Sequence, residues 1–165
     1  MLIKKRTPFE YILYTAIIAV GIALDQITKY LAATYLQPIT TFPIIEKVLH
    51  LTYAENTGAA FGMLKDHRWV FLVISGITIV AFSLYLYLGH AENKLYAVAI
   101  SMVISGGIGN MIDRLALGYV VDFIDFRLIN FAIFNGADSF VCVGAGLLML
   151  ALILDIKKEA KGKKK

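Results

Sequence analysis

The sequence predicts an all-α membrane protein, and its composition, its long apolar segments and its charge distribution all indicate this fold class. Hydrophobic residues make up 59% of the 165 residues and charged residues 17%. Ordinary globular domains are roughly 45–50% apolar and about 25% charged. The surplus of apolar side chains is too large for one small core, so part of it must face lipid. We expect a single polytopic membrane domain over residues 1–165.

Four segments are long and apolar enough to cross a membrane. Transmembrane helices are expected at about residues 11–36, 69–88, 95–114 and 137–156. The segment 69–88 contains no charged residue, and its length matches a hydrocarbon core of about 30 Å at about 1.5 Å per residue. The first segment lacks a clean cleavage site, so we expect a retained helix and not a signal peptide.

Basic residues at both ends of the chain predict the orientation. Lys4, Lys5 and Arg6 precede the first apolar segment, and six lysines follow the last one between residues 157 and 165. The positive-inside rule then predicts that both termini are cytoplasmic, where these residues attract anionic phospholipid headgroups. A nucleic-acid partner is not expected, because the sequence has no basic stripe with interleaved aromatic residues.

Four crossings leave the two long connections, 37–68 and 115–136, on the outer side. Segment 48–53 has aromatic and β-branched residues with apolar side chains on one face, and 120–124 is a second candidate strand. We therefore expect a small sheet on the outer leaflet. Periodicity alone leaves open whether the two strands pair.

Two groups of polar residues fall at the outer ends of the first and third helices. Asp25 and Lys29 are four residues apart, so a structural ion pair is favoured over a catalytic role. Asn110, Asp113 and Arg114 can share one helical face. Asp113 and Arg114 could brace each other, or the guanidinium could bind peptide carbonyls or a lipid ester or phosphate.

Asp122 and Asp138 lack a basic neighbour within four residues in the sequence. Two carboxylates at close range cannot both ionise easily, so one keeps a proton. Such a pair can hydrolyse a peptide bond, with the base activating water and the acid polarising the carbonyl. A proton relay in a transporter would have the same pattern. No metal site is expected, because the three histidines are scattered and Cys142 stands alone.

Five short stretches, taken together and in this order, resemble lipoprotein signal peptidase (signal peptidase II), a family of bacterial membrane aspartic proteases. They are Asp-Gln-Ile-Thr-Lys at 25–29, Asn-Thr-Gly-Ala-Ala-Phe-Gly at 56–62, Gly-Asn-Met-Ile-Asp-Arg at 109–114, Val-Val-Asp-Phe at 120–123 and Phe-Asn-Gly-Ala-Asp-Ser at 134–139. The similarity spans almost the whole chain. Ala132 stands where the family often has proline and Gly136 where a bulkier residue is usual.

The resemblance implies a four-helix enzyme of the bacterial inner membrane, with an extracytoplasmic β-cradle and a short amphipathic helix. That family removes the signal peptide of prolipoproteins just before a diacylglyceryl-modified cysteine. By motif match, the catalytic pair is Asp122 and Asp138, the substrate-binding residues are Asn56, Asn110, Arg114 and Asn135, and Asp25, Lys29 and Asp113 support the fold. The resemblance also implies a monomer that uses no metal or cofactor and is blocked by globomycin-type cyclic peptides.

Two other classes of function stay open on the residues alone. A proton-coupled transporter is disfavoured, because the helix expected at 69–88 has no polar relay and no internal repeat is visible. A non-catalytic scaffold is disfavoured, because it does not need unpaired carboxylates at the membrane surface. With the resemblance, the lipoprotein peptidase is the favoured hypothesis.

Overall fold

A computed structural model of the chain describes residues 7–58, 67–91 and 93–162. The four long helices are α1 (Pro8–Leu31), α2 (Arg68–Tyr87), α3 (Lys94–Ala116) and α4 (Gly136–Gly162). A π-helical turn, Ala32–Leu36, extends α1. The strands are β1 (Thr41–Ile45), β2 (Leu49–Asn56) and β3 (Val120–Asp125), and a 3₁₀ turn at Arg127–Ile129 follows β3. The predicted fold class is confirmed, since all four helices are long and apolar enough to span a membrane.

Helix α1 begins at Pro8 because the residues around its start satisfy the free backbone groups. Thr7 Oγ1 accepts a hydrogen bond from Glu10 N at 3.3 Å, and Glu10 Oε2 accepts one from Thr7 N at 3.0 Å. This reciprocal pair of hydrogen bonds is a capping box. Proline is favourable at the first helical position, because the backbone N–H that it lacks would have no partner within the helix. The helix therefore starts three residues before the predicted boundary.

Helix α3 is the centre of the bundle, since it packs against α1, α2 and α4. Two of its glycines allow close approach. A Cβ atom on Gly106 would collide with the carbonyl oxygen of Ala137, and one on Gly109 would collide with the Asp25 carboxylate. Small residues at helix contacts permit this spacing in membrane proteins. Gly109 thus brings the C-terminal part of α1 and the N-terminus of α4 against the C-terminal part of α3.

The two predicted strands do pair, and a third strand joins them. The sheet is antiparallel in the order β1-β2-β3. The sequence analysis missed β1, which is short and contains Pro43; proline is typical of an edge strand such as this one. Between the pairs Leu51↔Ile124 and Ala54↔Asp122, β2 contains one residue more than β3. This bulge changes the register next to Asp122.

Part of the first outer connection lies outside the described residues. Residues 59–66 include the last four positions of the motif at 56–62. The prediction of a short amphipathic helix therefore depends on the resemblance and on no described element.

Candidate active site

The segment before α4 runs beside β3 and brings the two predicted catalytic aspartates together. Phe134 O accepts hydrogen bonds from Phe123 N at 3.0 Å and Ile124 N at 2.8 Å, and Phe134 N donates to Ile124 O at 3.1 Å. The next residue in the chain, Asn135, therefore lies against Asp122. The bridge between Phe134 and Ile124 couples the end of the sheet to the start of α4.

Asn135 also begins α4 and orients Asp138. Asn135 Oδ1 accepts a hydrogen bond from Asp138 N at 2.9 Å, and Asp138 Oδ2 accepts one from Asn135 N at 3.2 Å. These reciprocal bonds have the capping-box pattern, with an acidic residue three positions after the cap. The local sequence at the helix start therefore determines where the Asp138 carboxylate lies.

The same asparagine joins the two carboxylates. Asn135 Nδ2 donates to Asp122 Oδ1 at 2.7 Å, and Asn56 Nδ2 donates to Asp122 Oδ2 at 2.9 Å. Asn110 Nδ2 donates to Asp138 Oδ1 at 2.8 Å. Each of the four carboxylate oxygens thus accepts one protein hydrogen bond and keeps a second acceptor position, since each oxygen has about two lone pairs.

The two aspartates differ in environment. Asp122 is 2% exposed, whereas Asp138 is half-buried at the N-terminus of α4. Burial raises the pKa of Asp122 from its ordinary value of 3.8 to about 6; hydrogen bonds from Asn56 and Asn135 oppose this rise, and the charge of Asp138 adds to it. Asp122 therefore keeps a proton more readily than an exposed aspartate.

A buried ion cluster lies beneath the two aspartates. Lys29 Nζ is 2.9 Å from Asp25 Oδ2 and 3.0 Å from Asp113 Oδ2, and it donates to Asn110 Oδ1 at 2.9 Å. Lys29, Asp25 and Asp113 are each at most 3% exposed. The sequence analysis considered an interaction between Asp113 and Arg114. In the structure Lys29 lies between α1 and α3, and the Asp113 carboxylate forms its ion pair with Lys29 instead.

The cluster reaches from the helices to β3 and α4. Asp25 Oδ1 accepts a hydrogen bond from Ala137 N at 2.8 Å, and Asp113 Oδ2 accepts one from Val121 N at 3.1 Å. Ala137 and Val121 each precede one of the two predicted catalytic aspartates. Asp25 and Asp113 therefore fix the position of the backbone directly before Asp138 and Asp122.

Sequence reasoning missed Gln26 as a member of this cluster. Gln26 Nε2 donates to Asp113 Oδ1 at 2.9 Å and to Gly109 O at 3.2 Å, and it is 3.2 Å from Asp25 Oδ2. The available signal was its position directly after Asp25, inside the stretch at 25–29. An uncharged amide is less costly near lipid than Asp25 or Lys29, so its position gives a weaker sequence signal.

Arg114 contacts a peptide carbonyl, which is the chemistry expected of its guanidinium. Its Nη2 donates to Gly58 O at 3.2 Å, and its Cζ lies 4.8 Å from the ring centroid of Phe71 on α2. Asn56 Oδ1 accepts a hydrogen bond from Gly58 N at 2.9 Å. Arg114 and Asn56 therefore both hold Gly58, which precedes the segment outside the described residues.

A second polar cluster, also missed, ties the three strands together at the far end of the sheet. Asp125 Oδ2 accepts hydrogen bonds from Thr52 Oγ1 at 2.7 Å and Arg127 Nε at 2.9 Å, and Arg127 Nη2 donates to Thr41 Oγ1 at 3.0 Å. Burial opposes ionisation of Asp125, but these hydrogen bonds and the charge of Arg127 outweigh it and lower its pKa. This cluster holds the strand that carries Asp122.

The described residues contain no group of three or more His, Cys, Asp or Glu side chains arranged to hold a metal ion. The polar groups described at the candidate site are two carboxylates, the amides around them and the Arg114 guanidinium.

Four membrane-length helices and a carboxylate pair held at one end of the bundle define a multi-pass membrane protein with a site suited to acid–base catalysis. A family model described as signal peptidase (SPase) II matches residues 17–154. The chain belongs to the signal peptidase II family, as the sequence resemblance predicted.

Relatives and a solved structure agree with this membership. The lipoprotein signal peptidase of Caldanaerobacter subterraneus subsp. tengcongensis is 50% identical over 137 residues, which are 83% of this chain and 93% of that protein. The lipoprotein signal peptidase of Brevibacillus brevis is 44% identical over 145 residues, 88% of this chain and 97% of that protein. A solved structure described as a bacterial membrane enzyme has a TM-score of 0.84 and 35% identity, covering 96% of both chains.

Proposed function

We propose that this chain is an aspartic endopeptidase that removes the signal peptide from diacylglyceryl-modified prolipoproteins, cleaving just before the lipidated cysteine. One observation carries the proposal: Asn135 donates to the Asp122 carboxylate while it caps the helix turn that holds Asp138. Two carboxylates linked through one side chain form an acid–base pair, and the family to which the chain belongs acts on peptide bonds.

The environments of the two aspartates support different roles. Asp122 is the acid, because burial raises its pKa to about 6 and so lets it take up a proton more readily than an exposed aspartate does. Asp138 is the base, because it is only half-buried at the start of α4 and its carboxylate oxygens keep acceptor positions for a water molecule. Asp138 takes a proton from water as the water oxygen bonds to the carbonyl carbon, while Asp122 donates a hydrogen bond to the carbonyl oxygen. The C–N bond then breaks, and the proton on Asp138 passes to the leaving nitrogen.

The surrounding amides and Arg114 hold the substrate backbone and the lipid-bearing cysteine. Asn110 uses one amide hydrogen on Asp138, so its second is available to a substrate carbonyl. Arg114 already donates to the peptide carbonyls of Gly58 and Asn110, and its guanidinium has further donors that suit a substrate carbonyl. Asn56 lies beside Asp122 at the end of β2. Asn135 both contacts the pair and positions it, since its amide nitrogen also donates to Asn110 Oδ1 at 3.1 Å.

A membrane location for this chemistry follows from the substrate. A lipidated cysteine stays anchored in the outer leaflet of the bacterial inner membrane, so its scissile bond reaches only shallow depths. With both termini cytoplasmic, the outer ends of α1, α3 and α4 lie at that depth. Anchoring raises the effective concentration of substrate near the two aspartates.

The same site would bind a globomycin-type inhibitor. The enzyme acts as a monomer in contact with phospholipid.

The direct test is cleavage of a diacylglyceryl-modified prolipoprotein by the purified protein in lipid, with a chelator present throughout. The wild type is expected to release the signal peptide. Asp122→Asn and Asp138→Asn are expected to lose cleavage by at least a hundredfold, because asparagine keeps the shape and loses the titration.

Asp155→Asn is the matched control, since Asp155 lies far along α4 near the basic C-terminus. It should cleave at the wild-type rate. Appreciable turnover by either dyad variant removes that residue from the mechanism. Cleavage by the wild type that occurs only in a parallel sample without chelator overturns the metal-free mechanism, and folded wild type that does not cleave in either sample overturns the proposal.

A further inference from the structure

A narrow apolar groove runs between α2 and α3 and reaches α4. Its volume is about 150 Å³. Ile74, Ile79 and Phe82 on α2 and Val103 and Ile104 on α3 contribute apolar side chains. The described residues that line the groove include no ionisable side chain, and its polar groups are the hydroxyls of two α2 residues, Ser75 and Thr78. The Thr78 hydroxyl donates to Ile74 O at 2.9 Å, so it is already satisfied.

The groove begins one helical turn below the candidate active site. Gly107, on its α3 wall, is three residues before Asn110, and Val141, on its α4 wall, is three residues after Asp138. Residues three apart lie on the same helical face. On α2, Phe71, which stacks on Arg114, is one turn before the first lining residues. On all three helices the groove therefore begins about one turn from the residues of the candidate site.

The size of the groove limits which ligands it can bind. From Ile74 to Phe82 the α2 wall rises by eight residue steps, about 12 Å along the helix axis. An apolar cavity of about 150 Å³ accommodates a six-carbon ring, whereas a helix with its side chains is about 10–12 Å across. The space thus fits part of one hydrocarbon chain and excludes the helix of a signal peptide.

Gly107 keeps the upper part of the groove open. A Cβ atom on this residue would lie 3.3 Å from Ile79 Cγ1, which is tighter than ordinary contact. Any larger side chain would fill the space between α2 and α3 next to the site.

We propose that this groove binds one ester-linked acyl chain of the substrate's diacylglyceryl group and so sets the preferred chain length. The proposal rests on the proposed function, since it assigns a subsite to the same substrate. Because the groove starts below Asn110 and Asp138, a chain that hangs from the lipidated cysteine enters it without crossing a polar region. Burial of its methylene groups against α2 and α3 then contributes to binding.

The test compares two synthetic substrates with the same peptide, one with 16-carbon chains and one with four-carbon chains. Ser75→Phe fills the groove from α2, and Val103→Phe fills it from α3. For the long-chain substrate, each variant is expected to raise KM about tenfold, the factor for roughly two methylene groups that lose their burial. The kcat/KM for the short-chain substrate should stay at the wild-type value, which also shows that the variant is folded.

Ile77→Phe is the matched control, because Ile77 is on α2, is 66% exposed and does not line the groove. It should leave both substrates unaffected. As a second measurement, a substrate with a photoreactive group on its sixth chain carbon is bound to Asp138→Asn, which retains it uncleaved. Crosslinks are expected at Ser75, Thr78 and Ile79 on α2 and at Val103 and Ile104 on α3.

The outcomes separate this inference from the function on which it rests. Equal losses for both substrates, no loss for either, or crosslinks at the outward residues Val73, Ile77 and Val80 would mean that the groove holds only bilayer lipid. Each of these overturns the acyl-chain subsite while cleavage by the wild type stands. Absence of wild-type cleavage of both substrates overturns the proposed function and the subsite with it.

Discussion

Asn135 shows how one uncharged side chain determines the geometry of the candidate site. It is fully buried, its oxygen caps α4, and its nitrogen contacts both Asp122 and Asn110. These contacts use both amide hydrogens, so its orientation is fixed by the groups around it. The relative position of the two aspartates follows from this residue more directly than from either carboxylate.

The raised pKa of Asp122 predicts a pH dependence of stability. An acid whose pKa is raised on folding binds its proton more tightly in the folded state, so it favours folding at low pH. That contribution is fully present below about pH 4 and is lost as the pH rises through about 6. Between pH 4 and pH 8, wild type should lose up to about 3 kcal/mol of stability relative to Asp122→Asn.

The measurement is thermal unfolding of both proteins in one detergent across this pH range. Other titrating groups are common to both proteins and cancel in the difference. Glu55→Gln, an exposed residue on the adjacent strand, is the control and should follow wild type. Parallel pH profiles for wild type and Asp122→Asn would contradict the buried-acid assignment.

Lys29 is expected to be the most costly single residue to remove from the buried cluster. Lys29→Met keeps most of the side-chain volume but leaves Asp25 and Asp113 buried without their cation. Breaking a buried ion pair on one side typically costs about 3–5 kcal/mol. Lys157→Met, at an exposed position on α4, should stay within about 0.5 kcal/mol of wild type. Chemical unfolding that gives the two variants equal stability would refute the role of the cluster.

At the scale of elements, α3 positions the site because α1 and α4 can approach it closely. Its glycines face the Ala137 carbonyl on α4 and the Asp25 carboxylate on α1. The same helix carries Asn110, Asp113 and Arg114 on its last turns. Close helix packing and site geometry are therefore produced by the same stretch of chain.

Gly109→Ala tests this packing. The added methyl would collide with the Asp25 carboxylate and push it from Lys29 and Ala137 N. Overpacking of this kind costs about 1–3 kcal/mol, and cleavage should fall as the start of α4 shifts. Gly146→Ala on α4, where a Cβ meets nothing within 4 Å, should be neutral or slightly stabilising. Thermal unfolding and cleavage of both variants are compared; identical behaviour would rule out close packing at Gly109.

At the scale of the whole molecule, four apolar helices leave the sheet and the polar ends of α1, α3 and α4 at one end. Exposed side chains such as those of Val73, Ile77 and Val80 cover the outside of α2. Lipid surrounds these apolar side chains, because a protein of this size cannot bury all of them in its own core. The bundle thus presents its polar site at one membrane surface.

The predicted orientation, with both termini cytoplasmic, can be tested by the positions that an impermeant thiol reagent reaches. Cys142 is the chain's only cysteine, so Cys142→Ser provides a background for single new cysteines. Glu55→Cys, in the sheet, should be labelled from outside intact cells, because β2 lies at the site end of the bundle. Lys94→Cys, at the start of α3, should be labelled only after the membrane is opened. The reverse pattern would invert the site.

Much of the fold followed from local features. The apolar lengths predicted four membrane helices, and β-branched and aromatic residues indicated β2 and β3. Strand β1 was not predicted, because Pro43 interrupts the alternating pattern of a strand and no local feature marks this segment as the partner of β2. The bulge beside Asp122 is likewise a property of two strands together, so neither strand's sequence contains it.

The sequence by itself determined the membrane class and the candidate polar residues, because apolar length and the cost of charges near lipid are properties of single segments. Only the tertiary structure determined which of these polar residues contact one another. Lys29 joins Asp113 as well as Asp25, Arg114 turns to Gly58, and Asn135 links Asp122 to Asp138. Lys29 and Asp113, and likewise Arg114 and Gly58, are far apart along the chain, so only tertiary packing brings them together.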